Sequence, residues 1–134
     1  MQVSPYLFFN GNCAEAVALY ERAFKTKAKV IRYKDAPARI SSLAPERFIY
    51  HAQIRIHDDT IMLQDVLPKY ATSVGNNVMI TLRVDEYDRN TALEVFRILS
   101  EGSDSVGEMG GSAWAKCIGI LKDRFGVSWN ICYY

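Results

Sequence analysis

Residues 48–66 read Phe48-Ile49-Tyr50-His51-Ala52-Gln53-Ile54-Arg55-Ile56-His57-Asp58-Asp59-Thr60-Ile61-Met62-Leu63-Gln64-Asp65-Val66. Tyr50, Ala52, Ile54 and Ile56 alternate with His51, Gln53, Arg55 and His57, the period of a strand with one apolar and one polar face. Asp58–Asp59 turn the chain into a second strand, Thr60 to Val66, whose polar side holds Met62 and Gln64; the two aspartates serve the turn rather than acid–base chemistry. A strand apolar on one side only must pack that side under a helix. The stretch therefore predicts a hairpin in a sheet backed by helix, an α+β class.

The pattern extends outward in both directions. Val3 to Phe9 reads as a strand ended by Asn10, Gly11 and Asn12, and Asn12 is placed to cap a helix from Cys13 to Phe24, where apolar residues recur at helical spacing. Ala28 to Lys34 is a strand, and Asp35 to Arg47, with two prolines and two serines, reads as a mobile loop. After a connector carrying Pro68, Gly75 and Asn76–Asn77, the order restarts: strand Val78 to Val84, helix Tyr87 to Ser100, then strands Ser103 to Met109, Ser112 to Lys122 and Val127 to Tyr133. Each half reads strand, helix, three strands, which points to internal duplication. Neither half can bury a useful core alone, so the expectation is a single domain, residues 1–134, of two paired βαβββ modules, about 1–70 and 71–134, forming curved mixed sheets around a cleft.

Composition narrows the function classes. Among 134 residues, 49% are hydrophobic and 23% charged, and sixteen Lys plus Arg against fifteen Asp plus Glu leave a net charge of +1. That balance gives no footprint for nucleic acid. No apolar run reaches the ~20 residues of a membrane helix, and Met1 to Phe9 lacks a basic start and a cleavage site. The expectation is a soluble cytoplasmic protein with neither nucleic-acid nor membrane partner. Cys13, Cys117 and Cys132 form no CxxC pair and no metal-ligand spacing, and read as reduced core thiols.

The polar strand faces carry the candidate site. Tyr6, Phe8, His51, Gln53, Gln64, Met79, Trp114 and Asn130 mix aromatic, apolar and neutral polar groups, as the wall of a cleft for a small organic ligand would. His51 is a weak candidate for a general base or a ligand contact; its plainer role is a half-buried histidine bonded to a neighbouring strand. His57 sits at a hairpin end and reads as solvated. Trp129 reads as a core plug, and Trp114 as either core or a stacking platform. Gly107, Gly110 and Gly111 make no strand-to-helix glycine fingerprint, so no phosphate cradle is expected, and no S-adenosylmethionine site either.

Ser4-Pro5-Tyr6-Leu7-Phe8-Phe9-Asn10-Gly11-Asn12-Cys13-Ala14-Glu15-Ala16 is similar to the opening of PhnB-like proteins, which often carry the label demethylubiquinone methyltransferase-like. His51-Ala52-Gln53-Ile54-Arg55-Ile56 with Ile61-Met62-Leu63-Gln64-Asp65 resembles their central hairpin. Trp114 and the run Leu121-Lys122-Asp123-Arg124-Phe125-Gly126-Val127-Ser128-Trp129-Asn130-Ile131 resemble their closing segment. The paired βαβββ pattern resembles the vicinal oxygen chelate superfamily of glyoxalase I, extradiol dioxygenases and bleomycin-resistance proteins. Metal-dependent members of that superfamily hold a ligand on the first, fourth, fifth and last strands. The resemblance places those positions on Pro5 or Tyr6, Gln64, Met79 and Asn130, none of them His or Glu.

The resemblance thus implies a metal-independent small-molecule-binding protein with no cofactor and an unidentified ligand. The alternatives are a metal-dependent enzyme using an unorthodox set such as His51, Gln64 and Asp65, or a structural or regulatory dimer without a ligand. It also implies a homodimer. Open sheet edges and the uncharged aromatic tail through Trp129, Ile131, Cys132, Tyr133 and Tyr134 point the same way, because both need cover.

Overall fold

The hairpin forms as its alternation demands: β3 (Ile49–Ile56) and β4 (Asp59–Asp65) pair antiparallel, Ala52 opposite Leu63 and Gln53 opposite Met62. This is a computed structural model of the chain that describes residues 1–85, 88–108 and 116–133. The chain divides into two compact units, Met1–Ser73 and Val74–Tyr134.

In the first unit, β1 (Tyr6–Phe9) is followed by α1 (Cys13–Phe24), β2 (Lys29–Arg32), a 3-10 turn (Tyr33–Asp35), the short helix α2 (Ala38–Ser41), and then β3 and β4. The strands lie in the order β1-β4-β3-β2. β1 runs parallel to β4, with Tyr6 opposite Met62 and Phe8 opposite Gln64. β2 runs antiparallel to β3, with Lys29 opposite Gln53 and Ile31 opposite His51. This register places Tyr6, Phe8, Met62, Gln64, His51, Gln53, Arg55, Lys29 and Ile31 on one face. The other face carries Phe9, Ile61, Leu63, Ala52 and Ile54, all buried, against α1, which contributes Ala16, Val17, Leu19, Tyr20 and Ala23. Each large aliphatic side chain buried there is worth about 1.5–3 kcal/mol of transfer free energy.

The alternation fails at one end of β3. The register shifts between Ile31 and Arg32, so Ile49 is buried and Tyr50 only half-buried, its ring edge-on to Tyr33 at 5.3 Å. A bulge adds one residue and exchanges the faces beyond it. The segment 35–47, expected as a mobile loop, contains helical turns instead: the Pro37 carbonyl accepts from the N–H groups of Ile40 (2.7 Å) and Ser41 (3.0 Å). Tyr33 anchors its start. It is buried, and its hydroxyl donates to the Asp65 carbonyl at 3.0 Å.

Asn12 occupies the N-cap of α1 but makes no side-chain cap hydrogen bond. The capping acceptor comes from the far end of β4. Asp65 is fully buried, and its Oδ1 accepts from the N–H groups of Gly11 (2.9 Å) and Cys13 (3.0 Å) while Oδ2 accepts from Ile49 N–H (2.9 Å). Burial pushes this carboxyl up, and the three N–H donors with the positive charge of Arg47 pull against that shift. Gly11 is required beside it: its φ is +100°, and a Cβ there would lie 2.9 Å from the Phe48 ring. Asn10 adds a reciprocal pair, its amide donating to the Thr72 carbonyl (2.9 Å) and accepting from Thr72 N–H (2.8 Å).

The second unit repeats the wiring with β5 (Ile80–Val84), α3 (Arg89–Leu99), β6 (Ser105–Glu108), β7 (Lys116–Lys122) and β8 (Ser128–Tyr133), in the order β5-β8-β7-β6. Again the first strand is parallel to the last. Leu121, Trp129 and Ile131 are buried on the side of α3, which buries Ala92, Val95, Ile98 and Leu99. Gly119 lets that helix approach, since a Cβ there would meet Phe96 at 2.6 Å. Asp123 closes the last turn: Oδ1 accepts from the N–H of Phe125 (2.9 Å) and Val127 (3.0 Å), and Oδ2 from the Trp129 indole N–H (2.9 Å), with Gly126 at φ +91°. Two mixed four-stranded sheets with a few helices are the α+β architecture read from the sequence. The strands expected over Ser103 to Met109 and Ser112 to Lys122 are found as β6 and β7, with 109 and 112–115 outside the described residues.

Asp65→Asn tests the clamp. Whichever way the amide turns, its NH2 faces a backbone donor, and an opposed buried donor costs about 1–3 kcal/mol. Urea denaturation should show a loss of that size, and an unchanged midpoint would contradict the role given to Asp65.

Candidate functional site

The face of the first sheet that points away from α1 gathers five of the eight sequence-predicted site residues. β1 supplies Tyr6 and Phe8, β3 supplies His51 and Gln53, and β4 supplies Gln64. The side chains of Tyr6, His51, Gln53 and Gln64 form one hydrogen-bonded chain. The Tyr6 hydroxyl lies 2.9 Å from His51 Nδ1 and 2.9 Å from Gln64 Oε1, and Gln53 Nε2 lies 3.2 Å from His51 Nε2.

The direction of this chain follows from donor chemistry. An amide NH2 only donates, so His51 Nε2 must accept and the imidazole proton sits on Nδ1, an assignment made from the network. Nδ1–H then donates to the Tyr6 oxygen, which leaves the phenol proton for Gln64 Oε1. The order runs Gln53 to His51 to Tyr6 to Gln64, with every member neutral. Both ring nitrogens of His51 are engaged, so this histidine positions Tyr6 rather than offering a free lone pair as a base.

The rings add an apolar surface. Tyr6 and Phe8 lie 4.9 Å apart between centroids and tilted by 30°, and the His51 ring stands edge-on to Tyr6 at 5.6 Å. Phe8 is 47% exposed, an unusual position for a phenylalanine. Burial pushes the Tyr6 phenol up, with smaller contributions in the same direction from Tyr50, Cys13 and Tyr33. Tyr6 accordingly stays protonated at neutral pH.

The remaining predicted residues fall elsewhere. Met79 and Asn130 belong to the second unit, where Met79 is exposed and Asn130 Oδ1 accepts from the Cys132 thiol at 3.3 Å. Cys132 faces Cys117 across β7 and β8, and burial, with the Cys117 thiol next, pushes it up to about 12. Trp114 lies outside the described residues. His57, expected as solvated, is exposed in the hairpin turn at φ 54°, 3.1 Å from the Asp58 carboxylate. Sequence reasoning missed Lys29 and Ile31 as members of the site face. The alternation of that strand with its neighbour was the available signal, but two residues of each parity are too few to orient it.

A divalent metal of the kind the superfamily resemblance implies asks for imidazole and carboxylate donors. Tyr6 and Gln64 in the first unit, and Met79 and Asn130 in the second, supply a phenol, two amides and a thioether, so the set does not fit. Asp65 cannot join His51 and Gln64, because its register turns it to the opposite face, where three N–H groups hold it. Among the described residues, no group of three His, Cys, Asp or Glu side chains is placed to hold a metal ion.

Comparison with known proteins sets this geometry in a family. The family model described as 3-demethylubiquinone-9 3-methyltransferase matches residues 1–132. Protein YjdN of Escherichia coli K12 is 29% identical over 98% of this chain and 94% of its own. The crystal structure of protein PA1353 from Pseudomonas aeruginosa superposes with a TM-score of 0.83 at 31% identity, covering 99% of this chain and 97% of that one. A bleomycin-binding protein complexed with bleomycin shares the fold at 14% identity, with a TM-score of 0.61 over 100% of this chain and 98% of its own. The chain belongs to that matched family, the PhnB-like group, and shares the fold of glyoxalase, bleomycin-resistance and dioxygenase (vicinal oxygen chelate) proteins. The family's description names a methyltransferase, and that name is the label of the family model.

Tyr6→Phe checks the directional chain. It removes the link between His51 and Gln64 at a partly exposed site, so stability should fall by no more than about 1.5 kcal/mol. Nitrogen NMR of His51 should show the proton on Nδ1 in the parent and still on Nδ1 in the variant, because Gln53 continues to donate to Nε2. A parent spectrum with the proton on Nε2 would contradict the assigned direction.

Proposed function

We propose that this protein binds a small organic molecule on the open face of its first sheet, without a metal ion, and that the bound molecule rests on the Tyr6 and Phe8 rings. The observation that carries this reading is the Tyr6 hydroxyl held between His51 and Gln64 beside an exposed Phe8 ring. A buried phenol pair would be core, and a solvated one would be mobile. A half-exposed phenol fixed by two neighbours, next to a bare aromatic face, is organised for contact with something absent from the chain itself. The bleomycin complex of a fold neighbour adds support that an architecture of this kind accommodates a small molecule. Nothing in the site supplies a nucleophile or a free base, so binding is favoured over catalysis, and no glycine-rich turn supports S-adenosylmethionine-dependent methyl transfer.

The protein further acts as a homodimer of single-domain chains in the cytoplasm. Of the aromatic tail, Trp129, Ile131 and Cys132 are buried and give this expectation no support, Tyr133 is half-buried, and Tyr134 lies outside the described residues. Support comes instead from the edge strands: β2 exposes Val30 and Ile31, and β6 exposes Val106. Exposed apolar edges call for cover.

Thermal-shift screening of the parent protein against a metabolite library should return stabilising aromatic or heteroaromatic compounds whose effect is lost in Tyr6→Ala. Indifference to all of them would contradict the binding reading, and stoichiometric Zn, Ni, Mn or Fe in untagged protein would contradict its metal independence. Light scattering at micromolar concentration should give twice the 15.2 kDa of one chain. A clean mass of one chain would refute the dimer.

A further inference from the structure

The hydrogen-bond chain on the open face uses some of its polar atoms and leaves others, and the remainder has a definite chemistry. Gln53 spends an N–H on His51 Nε2, which leaves its Oε1 without a partner among the described residues. Gln64 spends its Oε1 on the Tyr6 hydroxyl, which leaves its Nε2 with two N–H groups unused among the described residues. Tyr6 receives from His51 and gives to Gln64, so it retains one lone pair. The one-way order of the chain therefore fixes an acceptor at its start, Gln53 Oε1, and a donor at its end, Gln64 Nε2–H, flanked by the aromatic surface of Tyr6 and Phe8.

Resting on the binding reading above, we infer that the ligand is a neutral aromatic or heteroaromatic compound carrying both a hydrogen-bond donor and an acceptor, an amide or lactam, whose carbonyl meets Gln64 Nε2–H and whose N–H meets Gln53 Oε1. The charges on this face are two cations, of which Lys29 lies opposite Gln53. The Arg55 guanidinium is turned to the hairpin, where its Nε donates to the His57 carbonyl at 2.9 Å and its Nη2 lies 3.8 Å from Asp58. Lys29 stands on β2, the edge strand, and no carboxylate shares the face among the described residues. An anionic ligand would leave Gln53 Oε1 facing negative charge, and a cationic one would set its charge against the Gln64 donor. An unpaired polar group at a contact forfeits the discrimination that hydrogen-bonding sites achieve.

Four single-ring probes separate the possibilities: benzamide, N,N-dimethylbenzamide, benzoate and benzylammonium, each titrated into the full chain at millimolar concentration. NMR follows the side-chain amides of Gln53 and Gln64 and the rings of Tyr6 and Phe8. Benzamide should shift all four groups and bind at least fivefold more tightly than the other three probes. Gln64→Glu keeps an acceptor for the Tyr6 hydroxyl but replaces the outward donor with a carboxylate oxygen, so benzamide affinity should fall about tenfold while the Tyr6 and Phe8 resonances stay in place in the unliganded protein. If benzoate, benzylammonium or the dimethyl compound perturbs this face as strongly as benzamide, or if Gln64→Glu binds benzamide equally well, the ligand class is wrong and the binding reading stands. If no probe perturbs the face, the binding reading fails and this inference with it.

Discussion

A single buried carboxylate sets the geometry of the first unit. Asp65 gathers the N–H groups of Gly11, Cys13 and Ile49, which belong to the β1–α1 turn, the start of α1 and the start of β3. Through its own carbonyl it also takes the Tyr33 hydroxyl. Those bonds tie three segments remote in sequence to the last residue of β4. The consequence is register: with Asp65 turned toward the helix, Gln64 must point to the open face, level with Phe8. A slip of one residue would exchange the two and bury the amide instead. Burial makes the charge costly, and the saturation of its lone pairs by backbone donors is what makes it tolerable.

The open face is built differently, from neutral groups ordered by direction rather than from charge. The proton on His51 is dictated by an amide two residues along the same strand, and it passes the orientation on to a tyrosine on another strand. Such a chain holds its members rigid without stripping water from an ion, at the cost of offering no strong base. Proteins that share an architecture can differ completely at this face, which is why the fold and the family description say less about activity than the donors and acceptors present.

The strand–helix order was legible because it is written in local periodicity. α1 runs from Cys13 to Phe24 as its spacing predicts, and the faces of β3 and β4 follow from alternation over eight and seven residues. What escaped notice depends on contacts distant in the chain. Asn12 looks like a cap, yet the acceptor is Asp65, more than fifty residues on. Asp65 looks like a polar strand end or a metal ligand, and only the parallel pairing of β1 with β4 reveals it as neither. The membership of Tyr6, His51 and Gln64 in one face was readable from parity, but their linkage was not, because it requires the register between β1 and β4.

That parallel pairing has a consequence for how the chain comes into being. The Tyr6 hydroxyl meets partners 45 and 58 positions away. During synthesis the amino-terminal strand therefore waits, with Phe8 and Phe9 unpaired, until the whole hairpin has left the ribosome. Contacts so remote are closed late and slowly, since the loop entropy must be met before any pairing rewards it. The binding face is thus among the last parts of the first unit to exist, and a nascent chain halted before Gln64 carries an exposed aromatic strand in place of a site.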